Sequence, residues 1–199
     1  MTTTSATSDT ELLRQMRNGT AAAFQQLYQR HQGPLYRFSL MRCGSSDTAA
    51  DVVQEVFMGL LTNSFKFDPL RGVLPNFLFG VARKLILKHE HPGRRFDSLS
   101  EGADDGDADD APELACEAAE PLARMLSNEL AEQVRQALAT LPPHYREPVI
   151  LYEMHELSYL EIAEICQIDI GTVRSRLSRG RAALSRKLDA HRPAAHYAA

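Results

Sequence analysis

Apolar residues recur at helical spacing along the first half of the chain, with short polar breaks between the stripes. Two early stretches, residues 12–28 and 35–41, place apolar side chains three or four positions apart. A wider stripe follows Asp47, a candidate N-cap region, and consists of Val52, Val53, Val56, Phe57, Leu60 and Leu61. This spacing predicts a series of amphipathic helices, because no segment alternates as a strand would.

Residues 63–72 interrupt the apolar pattern, and another helix is predicted to begin near Pro75. Proline suits the first turn of a helix, and Pro92 with Gly93 is expected to end it. The side of this helix predicted to be buried carries Leu74, Phe77, Leu78, Val81, Leu85 and Ile86.

The second half of the chain repeats the helical pattern. One amphipathic helix is predicted from the spacing of Leu126, Leu130, Val134 and Leu138. Leu141 and two prolines end that helix and open the next, whose apolar side carries Tyr145, Val149, Ile150 and Tyr152. Pro148 lies inside this stretch and predicts a kink or a late helix start.

The strongest motif is a helix-turn-helix near the C-terminus. Ser158 and Glu161 form a capping box before an apolar run, and residues 167–171 make a short connection. Thr172 is predicted to cap a second, longer helix with an apolar face of Val173, Leu177, Gly180, Leu184 and Leu188. A short helix, a tight turn and a longer helix is the arrangement that places its second helix in the major groove.

The second helix is basic, with no acidic residue from 171 to 188. The face predicted to lie opposite the apolar one carries Arg174, Arg176, Arg179, Arg181, Arg186 and Lys187. Arginine bonds guanine bidentately or contacts phosphate, so this helix is a candidate DNA reader. The alternative is a solvated basic helix that binds nothing or docks on an acidic segment of the chain.

Charge is distributed very unevenly along the 199 residues, although the net charge is only −4. Residues 1–96 carry a net +5, residues 97–121 carry −10 with no Lys or Arg, and residues 122–199 carry +1. The acidic stretch lacks aromatic residues and is rich in Gly, Ala and Pro, so it is predicted to be a flexible, extended linker. The predicted fold is therefore all-α, with two small helical domains, 1–96 and 122–199, on either side of that linker.

The two predicted domains together resemble the extracytoplasmic-function (ECF) class of bacterial RNA polymerase sigma factors. The resemblance covers about residues 10–95 and 122–190. It depends on five motifs in order, Asp51 to Phe57, Phe67 to Gly72, Phe77 to Arg83, Leu141 to Glu147 and Leu157 to Arg181. It implies a factor that brings core polymerase to promoters, recognises their −35 and −10 elements and assists DNA melting.

The resemblance also implies residue roles. The helix from Asp51 would dock on the clamp helices of the polymerase β′ subunit through an exposed face of Asp51, Gln54, Glu55 and Met58. The −10 element would be bound by Arg71, Phe77, Arg83, Lys84 and Lys88, with Arg94 and Arg95 adding charge. The −35 element would be bound by Thr172, Arg174, Ser175, Arg176, Arg179 and Arg181. Of these, Arg179 and Ser175 are expected to meet base edges, and Arg176 and Arg181 to meet phosphates.

Further partners implied by the resemblance are the polymerase β subunit and an anti-sigma protein. The linker would run through polymerase channels, where its acidity either mimics nucleic acid or only keeps it extended. Four positions depart from the family pattern: Pro75 replaces a usually polar or aromatic residue, Phe77 replaces a common Trp, Lys84 replaces Asn, and Glu156 stands where Gly is frequent. Lys84 therefore favours phosphate contact over base contact, and Glu156 is expected to alter the turn into Leu157.

Other function classes find less support. Cys43, Cys116 and Cys166 are far apart and form no zinc motif, so neither metal nor cofactor is expected. No nucleophile elbow or phosphate loop indicates an enzyme, and no apolar run of membrane-spanning length occurs. The polar N-terminus is not a signal peptide, which favours the cytoplasm. A regulator that binds an operator without polymerase explains the second domain but not the first.

Overall fold

In a computed structural model of the protein, residues 7–90 and 131–190 are described, without the side chains of residues 189 and 190. The chain divides into two compact units between Ala103 and Asp104, inside the stretch assigned to the linker. The predicted linker, the helix end at Pro92 and the early part of the helix with Leu126 and Leu130 all lie outside the described residues, so the predicted domain limits stay predictions.

The first unit contains four helices whose apolar faces meet in one core. They are α1 (Asp9–Arg17), α2 (Ala21–Cys43), α3 (Ser46–Leu61) and α4 (Leu74–Glu90). The long helix α2 packs against the other three, and α3 also packs against α4. Val52, Val56 and Leu60 are among the α3 residues that this core buries. The N-cap of α3 is Ser45, two residues before the predicted Asp47, and its side chain accepts a hydrogen bond from the Thr48 backbone.

An ion pair between a buried arginine and a partly exposed glutamate joins the C-terminal ends of α2 and α4. Arg42 is fully buried, and its guanidinium donates two hydrogen bonds, of 2.5 and 2.9 Å, to the carboxylate of Glu90. A guanidinium removed from water needs such a hydrogen-bonded counter-ion. The pair therefore fixes the last turn of α4 against α2.

The loop between α3 and α4 is anchored by two aromatic side chains. Phe65 and Phe67 are buried, and the Phe65 ring occupies the space where residue 59 of α3 would carry a side chain. The absence of a Cβ at Gly59 lets this ring lie directly on the helix. Asp68 accepts a hydrogen bond from the Leu70 backbone at 3.0 Å and shapes the next turn.

The described part of the second unit contains four helices. They are α5, of which residues 131–139 are described, α6 (Pro143–Glu153), α7 (Tyr159–Cys166) and α8 (Ile170–Ala190). Both α7 and α8 pack against α6 and against each other. The alternative of a late start for α6 is wrong, since the helix begins at Pro143 and continues through the buried Pro148. Arg146 links α6 back to α5 by donating to the carbonyls of Ala139 and Leu141.

The all-α prediction is confirmed for the described parts of the chain, where every regular element is a helix. Among those same helices, none is sufficiently long and apolar to cross a membrane.

The turn before α7 has a backbone conformation that glycine would favour, because Glu156 has a left-handed φ of 55°. Glu156 therefore preserves the turn that its side chain was expected to alter.

Replacing Gly59 with alanine should destabilise the protein by about 1–3 kcal/mol, because the new methyl group overlaps the buried Phe65 ring. Gly80→Ala is the matched control, since its added Cβ meets no atom within 4 Å and alanine favours a helix interior. Urea denaturation measures both. Equal stability of the Gly59 variant and the parent protein would show that the ring is not held against α3.

Replacing Glu156 with glycine should raise the free energy of unfolding by about 1 kcal/mol, because glycine relieves the cost of a left-handed backbone. The control is Glu156→Ala, which removes the carboxylate but keeps the Cβ. Thermal melts of the parent protein, the glycine variant and the alanine variant measure their stabilities. If alanine stabilises as much as glycine does, the gain comes from the lost charge and not from the backbone.

Candidate functional site

One face of α3 is exposed along its whole length, while the opposite face is buried. Asp51, Gln54 and Met58 are exposed at successive turns, as predicted for a docking face. Leu61 extends the same stripe at 47 % exposure, and Met58 is 51 % exposed. The stripe is thus acidic at its N-terminal end and apolar at its C-terminal end, a pattern suited to a protein partner. The sequence shows Leu61 as part of the apolar stripe, and its spacing alone does not reveal that it is exposed.

An aromatic cluster borders this stripe on the α2 side. Phe57 is buried, and its ring centroid lies 4.8 Å from that of Tyr28 and 6.1 Å from that of Phe24. Tyr28 is 37 % exposed, so it adds an aromatic edge beside the exposed end of α3. The helical spacing of residues 12–28 does not by itself show that Tyr28 is exposed.

Glu55 lies at the border between α3 and α4. It is half-buried, and its carboxylate oxygens are 4.0 Å from Lys88 Nζ and 4.0 Å from His89 Nε2. The structure therefore brings a residue predicted to bind polymerase next to one predicted to bind the −10 element. Both side chains stay substantially exposed, so this pair contributes at most about 1 kcal/mol to stability.

The candidate −10 surface is one side of α4. Phe77, Lys84 and Lys88 share this side, because positions seven and eleven residues apart return to almost the same angle. Both lysines are exposed, and Phe77 keeps a packing role against Phe67, with ring centroids 5.4 Å apart. Arg83 lies about 100° away from this stripe and is half-buried. The predicted residues of α4 thus separate into an exposed basic stripe and a flanking arginine.

The loop before α4 presents an apolar tip next to a basic residue. Leu70 is 95 % exposed and follows the turn made by Asp68, while Arg71 beside it is also exposed. Val73 is 54 % exposed. The sequence identified Arg71 but missed Leu70, because an apolar residue in a loop is not distinctive. Arg94 and Arg95 lie outside the described residues.

The helix-turn-helix is capped at both of its helix starts. Ser158 and Glu161 make both hydrogen bonds of the predicted capping box at the start of α7. At α8 the predicted cap at Thr172 is wrong. The helix begins earlier, and Asp169 accepts a hydrogen bond of 2.9 Å from the Thr172 backbone. The Thr172 hydroxyl and backbone also hold the pKa of Asp169 below its usual value.

The arginines of α8 do not form one continuous face. At about 100° per residue, Arg174 and Arg181 lie on one flank of the buried seam made by Val173, Leu177 and Gly180, and Arg176 lies on the other. Ser175 and Arg179 point away from the seam, and both are exposed. The two residues expected to meet bases are therefore outermost, and Arg176 is half-buried.

Arg181 differs from the other predicted DNA contacts. Its Nε donates a 2.5 Å hydrogen bond to Glu153 of α6, and its guanidinium lies 4.4 Å from the ring centroid of Tyr152. The Glu153 carboxylate raises the pKa of Arg181. The sequence could not reveal this pairing, because residues 28 positions apart carry no signal of contact.

No metal centre accompanies these surfaces within residues 7–90 and 131–190, where no three His, Cys, Asp or Glu side chains are grouped suitably. Cys166 is buried and Cys43 half-buried, and both are free thiols. The described site therefore consists of two basic surfaces and one mixed acidic and apolar face.

Comparisons with known proteins agree with this arrangement. The model of Sigma-70 region 2 matches residues 27–90, and the model of Sigma-70, region 4, matches residues 131–184. Together the two matches cover more than half of the chain. The first contains the α3 stripe and the α4 surface, and the second contains the helix-turn-helix.

Similar whole proteins belong to one family. The ECF RNA polymerase sigma-E factor of Escherichia coli strain K12 is 30 % identical over 184 residues, which cover 91 % of this chain and 94 % of that protein. The ECF RNA polymerase sigma factor SigW of Bacillus subtilis strain 168 is 27 % identical over 179 residues, covering 88 % and 94 %.

Two solved structures are also similar. The structure of CnrH in complex with the cytosolic domain of CnrY matches with a TM-score of 0.65 and 26 % identity, covering 92 % of this chain and 97 % of that one. The sigma factor RpoE in complex with the anti-sigma factor NepR from Bartonella quintana matches with a TM-score of 0.59 and 25 % identity, covering 85 % and 98 %. The chain belongs to the ECF sigma factors, the promoter-recognising subunits of bacterial RNA polymerase.

Proposed function

We propose that the first unit binds core RNA polymerase through the exposed stripe of α3. Asp51, Gln54 and Met58 form its centre, Glu55 its edge, and Leu61 extends it. The support is the combination of acids and large exposed apolar side chains on a helix whose other side is fully buried. The partner surface would be the clamp helices of the β′ subunit, which the family resemblance implies.

The −10 element would lie along α4 and its preceding loop. Lys84 and Lys88 offer phosphate contacts on one exposed side, and Arg71 adds charge at the loop. Melted DNA needs a basic groove with apolar surfaces on which bases rest, and Phe77 with Leu70 provides such surfaces. Arg83 would support this site from its flank.

The −35 element would be read by the first turns of α8. Ser175 and Arg179 project outward, Arg174 and Arg176 lie at the flanks, and Thr172 lies next to the capped N-terminus. The observation that carries the functional proposal is this capped second helix with outward arginines and no acid from 171 to 188. Such a helix fits a major groove lined by phosphates.

The protein would act by binding alone, in the compartment that holds polymerase and chromosome, without chemistry of its own. The similar solved structures are complexes, one of them with an anti-sigma factor, and this supports a protein inhibitor as a further partner. The competing function is an operator-binding regulator. Strong and selective promoter binding by the free protein, without polymerase, would favour that alternative.

Changing Asp51 and Glu55 together to arginine should abolish association with core polymerase, because both acids lie on the proposed docking face. Glu55 also faces Lys88 and His89, so its reversal brings like charges together. A second pair, Asp51→Arg with Gln54→Arg, leaves those contacts intact and should have the same effect. Holoenzyme assembly by gel filtration and run-off transcription with core polymerase measure both.

The matched control is Gln25→Arg with Gln29→Arg, which adds positive charge to exposed positions of α2 in the same unit. This variant should assemble like the parent protein. Circular dichroism confirms that each variant is folded. Wild-type assembly by both α3 variants would place the docking surface elsewhere.

Arg179→Ala should relax base preference at one position of the −35 element and cost about 1–3 kcal/mol, the contribution of one bidentate base contact. Arg176→Ala should weaken all sequences alike and reduce the dependence of log affinity on log salt by about one unit. Run-off transcription from a library randomised in the upstream element separates the two effects. An unchanged preference for the Arg179 variant, with a shifted one for the Arg176 variant, would invert the two roles.

A further inference from the structure

Helix α8 crosses α6 most closely at a glycine in the middle of its length. A Cβ on Gly180 would lie 2.7 Å from Val149 Cγ2 and 3.3 Å from the Tyr145 carbonyl oxygen. The two helices are therefore almost in backbone contact at this point. Position 180 has no room for a larger side chain, so α8 packs directly on α6 at this point.

Arg181, the next residue, reaches across this crossing to α6. Its Nε donates to Glu153 Oε1 at 2.5 Å, and its guanidinium carbon lies 4.4 Å from the centroid of the Tyr152 ring. The Tyr152 ring in turn lies 5.5 Å from that of Tyr159 on α7. Arg181 thus connects α8 directly to α6 and, through the Tyr152 ring, to α7.

These contacts compete with a role at DNA phosphates. A guanidinium with one N–H bonded to a carboxylate and one face on an aromatic ring has fewer donors and less net charge to offer. Arg174 lies about 20° away on the same flank, two turns earlier; it is exposed and makes no hydrogen bond, ion pair or ring contact with the described residues. The two arginines look equivalent in sequence, yet only Arg181 is directed at the protein.

We propose that Arg181 is a positioning residue that sets the rotation of α8 on α6, with Glu153 as its partner, and is not a phosphate contact. The inference rests on the proposed reading of the −35 element by α8. Rotation of α8 at the Gly180 crossing would move Arg179, the adjacent residue, and Ser175, more than one turn away, out of register with the bases. Loss of the Arg181 contact should therefore affect which sequence is read, and not only how tightly it is bound.

A double-mutant cycle on holoenzyme tests the proposal, using Arg181→Ala, Glu153→Gln and the two combined. We expect each single variant to lower affinity for a −35-containing promoter about three- to tenfold, and the double variant to lower it no further. The salt dependence of binding should stay that of the parent holoenzyme. Both single variants should relax the −35 sequence selected from a randomised library.

A phosphate contact gives a different result. Arg181→Ala would then reduce the salt slope by about one unit, as Arg174→Ala does in the matched control, and would leave the selected sequence unchanged. Glu153→Gln would then leave affinity unchanged or increase it, because it frees the arginine. Either outcome overturns the proposal, as does wild-type behaviour of both single variants.

The exchanged pair, Arg181→Glu with Glu153→Arg, covers the case in which the single variants fold poorly. Restored −35 selectivity in this variant supports the positioning role, since it places an acid on the DNA-facing helix. If selectivity is still lost while circular dichroism shows native helix content, the positioning role is contradicted.

Arg179→Ala, tested in the same library, separates the positioning role of Arg181 from the proposed reading of the −35 element by α8. If Arg179→Ala also leaves the selected −35 sequence unchanged, the proposed reading by α8 is wrong. If the selected sequence changes for Arg179→Ala but not for the Arg181 and Glu153 variants, only the positioning role is wrong.

Discussion

The fully buried guanidinium of Arg42 constrains how the helices of the first unit pack against one another. A charge removed from water must be paired and hydrogen-bonded, and Glu90 supplies both oxygens at 2.5 and 2.9 Å. Because Glu90 is the last residue of α4, the end of that helix is tied to the end of α2. The buried apolar side of α4, together with this pair, determines the side on which its lysines emerge.

The same constraint brings the two proposed binding surfaces of the first unit together. With the end of α4 fixed, Lys88 and His89 lie within 4.0 Å of Glu55 on α3. A partner that approaches the α3 stripe therefore changes the electrostatic surroundings of Lys88, at the edge of the proposed −10 surface. The Phe65 ring on Gly59 reinforces the arrangement, because it holds the connecting loop directly against α3.

In the second unit, the arginines of α8 look alike in sequence but differ in their angular position around the helix, and therefore in what they contact. The seam of Val173, Leu177 and Gly180 faces the core, so residues near the seam meet protein and residues opposite meet solvent. Arg179 emerges outward, and Arg181 turns to Glu153 and Tyr152. Helical spacing predicts the seam itself, but not which flanking arginine finds a carboxylate on another helix.

The sequence by itself determined the helices, the capping box at Ser158 and Glu161, the buried side of α3 and the family, because these depend on local spacing and on motifs in order. It misassigned Thr172 to the cap of α8, and spacing alone did not show that Leu61 and Tyr28 are exposed. Tertiary structure alone decided the Arg42–Glu90 pair, the contact of Glu55 with Lys88, and the direction of Arg181. Each of these joins residues 28 to 48 positions apart. Periodicity shows which side of a helix is buried, but the partner that a charged side chain finds depends on how the helices pack against one another.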